Sequence, residues 1–444
     1  MSGKTALERA LESKGIQPGD SVEVISSDGR VVQGVLMPHH EFSDDSVITV
    51  KLKSGYNVGV SPRDADAVRL MERADRKTAG EKAKIATSTD AAGAGGRGAT
   101  TTGLPQVSIV STGGTIASYV DYRTGAVKPA ITADELARSV PELASLCSPR
   151  TEVLYSVLSE NMRPENWHNL AEKVAAHLND GSRGCIIPHG TDTMGYTGAA
   201  LSFSLSDLTG PVVLVGSQRS SDRPSSDSTL NLLSAARLCM DSDLGEVVVL
   251  MHATTDDRRC AVHRGTRVRK CHSSRRDAFE SVNEPPMGSV EDGCIVFHGE
   301  YDRRSAGKVR VDAKFDEGVA MLNFYPGLTA QKLKKYAEGA SGVIMAGTGL
   351  GHVHQELIAE IGRLTSDGVP VCVTSQCIWG SVNLNVYSTG RDMLKAGAIP
   401  LGDMLSETAY VKLSWVLGHI DDIGKCREMM LTDMRREMGK RRSL

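Results

Sequence analysis

The chain has 444 residues, more than a typical single domain holds, and we expect two or three domains. Hydrophobic residues make up 40% and charged residues 24%, which excludes a disordered chain and predicts large cores. A net charge of -3 argues against a protein that coats nucleic acids in general. The sequence has no run of about 20 apolar residues, so it predicts no membrane-spanning helix. Nine scattered cysteines, and an N-terminus without a signal peptide's apolar segment, predict a cytoplasmic protein with reduced thiols.

The N-terminal residues predict a small β domain. A short helical pattern ends at Gly15, and Asp28-Gly29 and Ser54-Gly55 supply turns between the runs that follow. Those strand-like runs cover 21–25, 30–36, 47–53 and 56–60. Four or five short strands in about 55 residues predict an SH3-like β-barrel over 1–74. Residues 75–104 are rich in Ala, Gly, Lys and Thr and predict a flexible linker, because they cannot bury enough apolar surface to offset their ordering entropy.

From Gln106 onward, apolar runs of strand length alternate with amphipathic helical stretches. The runs are QVSIVST, EVLYSV, GCIIPH, PVVLVG and EVVVLMHA, and later VAMLNFY, GVIMAGTG and VPVCVTS. Buried strands that alternate with helices indicate parallel sheets. We therefore predict one α/β domain over 105–315 and a second over 316–444.

Three groups of polar residues stand where predicted strands end. The first is the run STGGTIA, in which Gly113 and Gly114 permit a sharp turn and place Thr115 at the carboxyl end of a strand, where open α/β sheets bind ligands. The second is the run HGTDTM, in which Thr191 lies beside the carboxylate of Asp192. An alternative for this pair is that one of its members caps the helix that follows.

The third group is the basic loop RVRKCH, which contains Lys270. A lysine held in a dry site loses proton affinity and can act as a base, whereas a lone lysine is more often a solvated surface charge.

Together the three groups resemble the bacterial-type asparaginase family, over roughly residues 106–430. The resemblance implies that Thr115 is the N-terminal nucleophilic threonine and that Thr191 and Asp192 are the second threonine and its acidic neighbour. It also implies that Lys270 pairs with Thr191, because Lys270 precedes Phe279 by the family's spacing. In that arrangement Lys270 would activate a threonine hydroxyl, and backbone N–H groups of the glycine turn, including Gly114, would stabilise the oxyanion.

The same resemblance implies substrate-binding residues. Tyr122 corresponds to the tyrosine of the family's mobile lid. Ser159 and Glu160, in the run LSENM, correspond to the pair that holds the substrate's α-carboxylate and α-amino groups. Many members of the family carry glutamine at the position of Glu160, and a carboxylate there still suits an ammonium group.

The N-terminal segment GDSVEVISSDGRVVQGVLMP extends the resemblance to the D subunits of archaeal glutamyl-tRNA(Gln) amidotransferases, over essentially the whole chain. That resemblance implies a glutaminase that supplies ammonia to a partner E subunit. There ATP, with Mg²⁺, activates the glutamate of Glu-tRNA(Gln), and ammonia converts it to Gln-tRNA(Gln). The chain itself is expected to bind no cofactor and no metal, to leave most tRNA contacts to the partner, and to form a homodimeric core within a heterotetramer.

Three alternatives remain open from the sequence. The chain could be a free cytoplasmic asparaginase or glutaminase with an accessory barrel. The barrel could be the functional module, an RNA- or protein-binding unit on an inactive enzyme scaffold. Finally, Cys260, His263, Cys271 and His272 have a loosely zinc-like spacing, although zinc sites usually have closer cysteine pairs.

Overall fold

The computed structural model describes residues 6–37, 46–52, 57–73, 103–113, 118–120, 127–129, 140, 142–219 and 226–439. These residues divide into two compact units. The first contains the described residues up to 73, together with 118–120, 127–129, 219 and 226, and the second contains the others. The linker predicted over 75–104 lies almost wholly outside the described residues, so the linker and the exact domain boundaries stay predictions.

An antiparallel sheet dominates the first unit. Helix α1 (Ala6–Ser13) precedes its five strands, which are β1 (Ser21–Ile25), β2 (Val31–Leu36), β3 (Ile48–Lys51), β4 (Asn57–Val60) and β5 (Val68–Glu72). The strand order is β4-β3-β2-β1-β5, so the last strand pairs with the first. Strict alternation in β1 buries Val22 and Val24 while their neighbours are half-buried. The predicted small β domain is therefore present, and its fifth strand is one that the sequence left undefined.

Fourteen further strands precede the C-terminal domain among the described residues. They are β6 (Gln106–Gly113), β7 (Ser118–Val120), β8 (Val127–Pro129), β9 (Ser148–Val157), β10 (Cys185–Pro188), β11 (Leu205–Ser206), β12 (Val212–Val215), β13 (Val247–His252), β14 (Arg259–Arg264), β15 (Val268–Lys270), β16 (Phe279–Ser281), β17 (Gly288–Glu291), β18 (Cys294–Phe297) and β19 (Arg310–Val311). The main sheet has the order β9-β6-β10-β12-β13-β14-β17-β18. Its first five strands in that order are parallel, and the last three extend it in antiparallel fashion. Three two-stranded antiparallel pairs complete the set: β7 with β8 in the first unit, β11 with β19, and β15 with β16.

The described part of this α/β domain contains the helices α2 (Leu143–Leu146), α3 (Pro164–Asn179), α4 (Met194–Ser204) and α5 (Ser228–Asp241). Both faces of the main sheet are covered, which explains why its parallel strands read as unbroken apolar runs. In β12, Val213 and Val215 belong to one core and Val212 and Leu214 to the other. Helix α5 packs in the first core and α3 in the second.

The C-terminal domain repeats this layering on a smaller scale. Its parallel strands are β20 (Val319–Asn323), β21 (Gly342–Gly347), β22 (Val371–Ser375) and β23 (Ile399–Pro400). Its helices are α6 (Ala330–Tyr336), α7 (Ile358–Ser366), α8 (Ser388–Lys395), α9 (Ser406–Leu417) and α10 (Ile423–Leu431). The two α/β domains share a core in which α4 meets α9, where the rings of Phe203 and Trp415 stack 6.1 Å apart.

The predicted class, two α/β domains with parallel sheets after a small β domain, is confirmed by these elements. Within the part of the chain that the structure describes, no helix has the length and apolar character that crossing a bilayer requires.

Candidate active site

Two neighbouring parallel strands end at the same edge of the main sheet and bring two of the predicted motifs together. Strand β6 ends at Gly113, and β10 ends at Pro188, just before the run HGTDTM. The hydroxyl of Thr112 donates a hydrogen bond of 3.0 Å to the carbonyl of Pro188, which ties the two strand ends. Residues 114–117 and 121–126 lie outside the described residues, so the roles assigned to Gly114, Thr115 and Tyr122 stay predictions.

Gly113 shows why glycine is needed where β6 ends. Its φ is +105°, a conformation that residues with a side chain rarely adopt. A β-carbon at this position would also lie 2.6 Å from the carbonyl oxygen of Val157, across the bulged register between β6 and β9. Glycine is therefore required at the end of β6, because any side chain there would be strained and would clash with β9.

The second threonine, its acidic neighbour and the lysine form a single cluster. The amine of Lys270 donates to the Thr191 hydroxyl at 2.8 Å and to a carboxylate oxygen of Asp192 at 2.9 Å. Thr191 is buried, the Lys270 side chain is only 12% exposed, and that of Asp192 is 66% exposed. The lysine is thus not the solvated surface charge of the alternative interpretation, and its amine lies within hydrogen-bond distance of both a hydroxyl and a carboxylate.

Ser159 joins this cluster from a third segment. It begins a short 3₁₀ turn, Ser159–Asn161, directly after β9, and it is buried. Its hydroxyl donates to the second carboxylate oxygen of Asp192 at 3.3 Å, and the Thr193 hydroxyl donates to its carbonyl at 2.7 Å. Glu160 follows in the same turn and is exposed. Ser159, one member of the predicted substrate-binding pair, therefore lies beside Asp192, and the other member, Glu160, is its exposed neighbour in the turn.

The helix-cap alternative for Thr191 and Asp192 is wrong. Helix α4 has Thr193 as its N-cap residue, without a capping hydrogen bond from the side chain. The side chains of Thr191 and Asp192 face Lys270 instead. Sequence reasoning did not single out Thr193, although its place within the run HGTDTM was a usable signal.

A buried hydrogen-bonded chain supports the backbone just before Thr191. His189 Nδ1 lies 2.7 Å from the carbonyl of Gly190, which can only accept, so this nitrogen carries the proton. His189 Nε2 then accepts from the Thr197 hydroxyl at 2.9 Å, and Thr197 accepts from the indole of Trp167 at 3.1 Å. Burial lowers the pKa of His189 to about 4, against a weaker opposing effect of the Gly190 carbonyl. The imidazole is therefore neutral near pH 7, and it connects the Gly190 carbonyl to the Thr197 hydroxyl in a fixed geometry.

The wall behind Thr191 is built from the end of β12. A β-carbon at Gly216 would lie 2.9 Å from the Thr191 methyl group, so glycine lets that side chain sit there. Asn231 of α5 donates to the Gly216 carbonyl at 2.9 Å, and its amide oxygen lies 2.7 Å from His252 Nδ1. Asn231 thus fixes the position of Gly216, against which the Thr191 methyl group packs.

The four residues of the zinc alternative are directed to other partners. The thiol of Cys260 donates to Asn231, and His263 Nδ1 lies 2.9 Å from the Ser281 hydroxyl. The thiol of Cys271 donates to the Arg269 carbonyl, and His272 accepts from two backbone N–H groups. Among the residues with described positions, no group of three or more His, Cys, Asp or Glu could hold a metal ion.

Family models match three regions of the chain. The models are described as "GatD N-terminal domain" over residues 16–71, "Asparaginase, N-terminal" over 106–303 and "Glutaminase/Asparaginase C-terminal domain" over 318–430. Among solved structures, the thermostable L-asparaginase from Thermococcus kodakarensis matches with a TM-score of 0.68 and 30% identity. L-asparaginase I from Vibrio cholerae matches with a TM-score of 0.68 and 28% identity. Each match covers 76% of this chain and the whole of the other, so the α/β fold is asparaginase-like.

Curated relatives match over nearly the full length. The D subunit of the glutamyl-tRNA(Gln) amidotransferase from Pyrococcus furiosus is 48% identical over 96% of both chains. The protein of the same name from Sulfolobus acidocaldarius is 44% identical, over 96% of this chain and 93% of its own.

Proposed function

The chain belongs to the family of glutamyl-tRNA(Gln) amidotransferase D subunits, and on that premise we propose how its site works. It is the glutaminase subunit of the amidotransferase, and it hydrolyses glutamine to glutamate and ammonia. The observation that carries this proposal is the cluster of Lys270, Thr191 and Asp192, in which one amine contacts both a hydroxyl at 2.8 Å and a carboxylate at 2.9 Å.

A threonine hydroxyl is a weak nucleophile until a base takes its proton. In the proposed reaction, the Thr115 hydroxyl attacks the side-chain carboxamide carbon of glutamine, and the Thr191–Lys270 pair serves the proton transfers. The C–N bond then breaks, and ammonia leaves after gaining a proton. A water molecule, activated by the same pair, hydrolyses the threonine ester and releases glutamate. The alternative assignment, with Thr191 as the residue that forms the ester, uses the same groups with the two threonines exchanged.

Backbone N–H groups of the Gly113–Gly114–Thr115 turn are proposed as the oxyanion donors. Such a donor contributes roughly 3 kcal/mol to transition-state stabilisation. The positive φ of Gly113 supports this role, because it turns the chain at the end of β6 away from ordinary strand geometry.

The exposed rim of the cluster is proposed to bind the amino-acid end of glutamine. Asp192 offers a carboxylate to the α-ammonium group, assisted by Glu160, while the Ser159 hydroxyl binds the α-carboxylate. Asp192 is suited to this role because its side chain is 66% exposed and is fixed by Lys270 on one oxygen and Ser159 on the other. Tyr122 is proposed to close over the bound substrate.

The ammonia is proposed to pass to a partner E subunit. That subunit would bind ATP and Mg²⁺ and most of the tRNA, phosphorylate the glutamate of Glu-tRNA(Gln), and convert it to Gln-tRNA(Gln) with the ammonia. A homodimeric core of this chain would make the assembly a heterotetramer. The support is that relatives 44–48% identical over nearly their whole length are named as a subunit of this amidotransferase.

The test is the steady-state release of ammonia from glutamine. We expect slow release by the isolated chain and an increase of at least tenfold when the partner, ATP and Glu-tRNA(Gln) are added, because escaped ammonia would be lost to the second reaction. Full activity of the isolated chain, unchanged by those additions, would count against the subunit role.

A second candidate is a free L-asparaginase, which the match to two solved L-asparaginases favours. The distinguishing observation is the rate with asparagine. Rapid turnover of asparagine by the isolated chain, faster than glutamine in the complex, would select this candidate instead.

A further inference from the structure

Lys270 lies in a small hairpin whose position depends on side-chain contacts. Strand β15 pairs only with β16 among the described strands, with Lys270 opposite Phe279. The hairpin is therefore not held in the hydrogen-bond ladder of the main sheet. Val268 and Phe279 of the hairpin pack in the second core, and the root of the hairpin, the segment 266–269, also contacts the C-terminal α/β domain.

Arg267, three residues before Lys270, contacts two separate segments of that domain. Its side chain is 1% exposed, and its guanidinium donates to the Asp403 carboxylate at 3.1 Å and to the Arg436 carbonyl at 3.0 Å. A fully buried arginine is expensive unless it is paired and hydrogen-bonded, so these contacts fix its geometry closely. Arg267 thus joins the hairpin to two segments of the C-terminal domain at once.

One of those segments is residues 432–439, here called the C-terminal strap. The Glu437 carboxylate is fully buried against the amine of Lys412 in α9, and it also accepts from the backbone N–H groups of Met434 and Arg435. Lys412 in addition donates to the carbonyl of Thr432. A buried ion pair therefore holds the strap against α9. In this position the Arg436 carbonyl accepts the hydrogen bond from Arg267.

Neighbouring residues of the hairpin root repeat the connection. The Thr266 hydroxyl donates to the Arg435 carbonyl of the strap at 3.0 Å, and the Thr266 carbonyl accepts from the Thr408 hydroxyl of α9 at 2.8 Å. Arg269 pairs with Glu407 at 3.0 Å. These three contacts hold the residues on either side of Arg267 against the C-terminal domain.

Arg436, the strap residue that Arg267 contacts, has an unusual backbone. Its φ is +56°, a conformation that residues with a side chain rarely adopt. Its carbonyl accepts from Arg267, and its guanidinium donates to Asp302. The strap is thus held in a specific conformation where it meets the hairpin root.

We infer that Arg267 is a positioning residue, which uses the C-terminal strap to place the Lys270 amine on Thr191 and Asp192. This inference rests on the proposed function, in which Lys270 takes part in proton transfer. A displacement of about 1 Å at a reacting group can lower a rate by roughly 100-fold, so a contact outside the site can control kcat.

The test compares Arg267→Lys with the wild type in the complex of the full chain with its partner subunit. Lysine keeps the charge but cannot reproduce the two-sided donation of the guanidinium. We expect kcat for glutamine hydrolysis to fall about 10- to 100-fold and KM to change much less, because Asp192 of the rim keeps its contact with Ser159 when the Lys270 amine moves. A purely structural role would reduce the amount of folded enzyme and leave kcat per folded molecule unchanged. A kcat within twofold of the wild type would overturn the inference.

Two further variants make the result decisive. If Arg267→Lys does not fold, Thr266→Val tests the same connection with a smaller change, and we expect a three- to tenfold lower kcat with unchanged KM; an unchanged kcat overturns the inference. Lys270→Met, measured in parallel, separates the two proposals. Full activity of Lys270→Met would contradict the proposed function itself. Loss of activity in Lys270→Met, together with normal rates in the other two variants, would contradict only the role of Arg267.

Arg258→Lys, at an exposed arginine paired with Asp256, is the matched control and should leave kcat and KM unchanged.

Discussion

Gly190 lies so close to Ser159 that a β-carbon on the glycine would be 2.6 Å from the Ser159 β-carbon and 2.9 Å from its hydroxyl oxygen. Real β-carbons essentially never approach another atom this closely. The run HGTDTM therefore requires glycine beside Thr191 for steric reasons, because the turn that carries Ser159 occupies the space of a side chain. The closeness of the two segments is also what lets Ser159 reach Asp192.

The first prediction concerns this contact. Gly190→Ala should displace Ser159, raise KM for glutamine about tenfold or more, and lower the free energy of unfolding by about 1–3 kcal/mol, the usual cost of overpacking. Steady-state kinetics and chemical denaturation measure the two effects. Gly299→Ala is the matched control: a β-carbon at that exposed glycine would meet nothing within 4 Å, so both values should stay near those of the wild type.

The second prediction concerns the buried chain Trp167–Thr197–His189. Thr197→Val keeps the shape of the side chain but removes the hydroxyl, which leaves the Trp167 N–H and His189 Nε2 without their partner. Because both groups are buried, the free energy of unfolding should fall by about 1–3 kcal/mol. Thr255→Val, at an exposed position, should change it by less than about 0.5 kcal/mol. Equal stability of the two variants in urea would show that the chain of hydrogen bonds contributes nothing.

The third prediction is the pH dependence of stability. Burial lowers the pKa of both His189 and His263 from 6.5 to about 4. The unfolded chain therefore binds more protons than the folded chain between these values, and stability present above pH 6.5 is lost as the pH falls toward 4. Each histidine should account for about 3 kcal/mol of that loss. Denaturation curves between pH 7 and pH 4.5 measure it, and His263→Asn should make the decline distinctly shallower. An unaltered slope in that variant would remove His263 from the explanation.

The fourth prediction concerns the exposed carboxylate of the cluster. Asp192→Asn keeps the size of the side chain but removes the charge that pairs with Lys270 and that is proposed to bind the α-ammonium of glutamine. We expect kcat/KM for glutamine to fall at least 100-fold, with both a lower kcat and a higher KM. Asp207→Asn is the matched control, since Asp207 is likewise a partly exposed partner in an ion pair, with Arg310. A comparable loss in both variants would point to a general effect of charge removal.

The sequence predicted the parts of the fold that follow from local patterns. Helix α3 is one of the amphipathic helical stretches between the apolar runs, and it was recognisable because Pro164 stands in its first turn and its apolar residues recur with helical spacing. The parallel strands were recognisable as unbroken apolar runs, since both of their faces are buried. The cluster of Thr191, Asp192 and Lys270 was predictable as well, because each residue stands in a short run that resembles a known family.

Other features depend on contacts between distant residues and carry no local signal. Because lysine is almost never fully buried, the sequence predicts Lys412 on the surface of α9. In the structure Lys412 is fully buried and pairs with Glu437, which lies 25 positions later in the chain. Arg267 was included in a basic loop without a role, because its partners Asp403 and Arg436 are more than 130 residues away. The antiparallel extension β14-β17-β18 was not predicted, because its short strands are interrupted by turns and polar residues.

The most direct test of the central claim is the Lys270→Met variant in the full amidotransferase, assayed for Gln-tRNA(Gln) with two nitrogen sources. If the Lys270 cluster only releases ammonia from glutamine, glutamine-dependent synthesis should fall at least 100-fold while synthesis with an ammonium salt stays within twofold of the wild type. Undiminished synthesis from glutamine would contradict the claim that this cluster hydrolyses it.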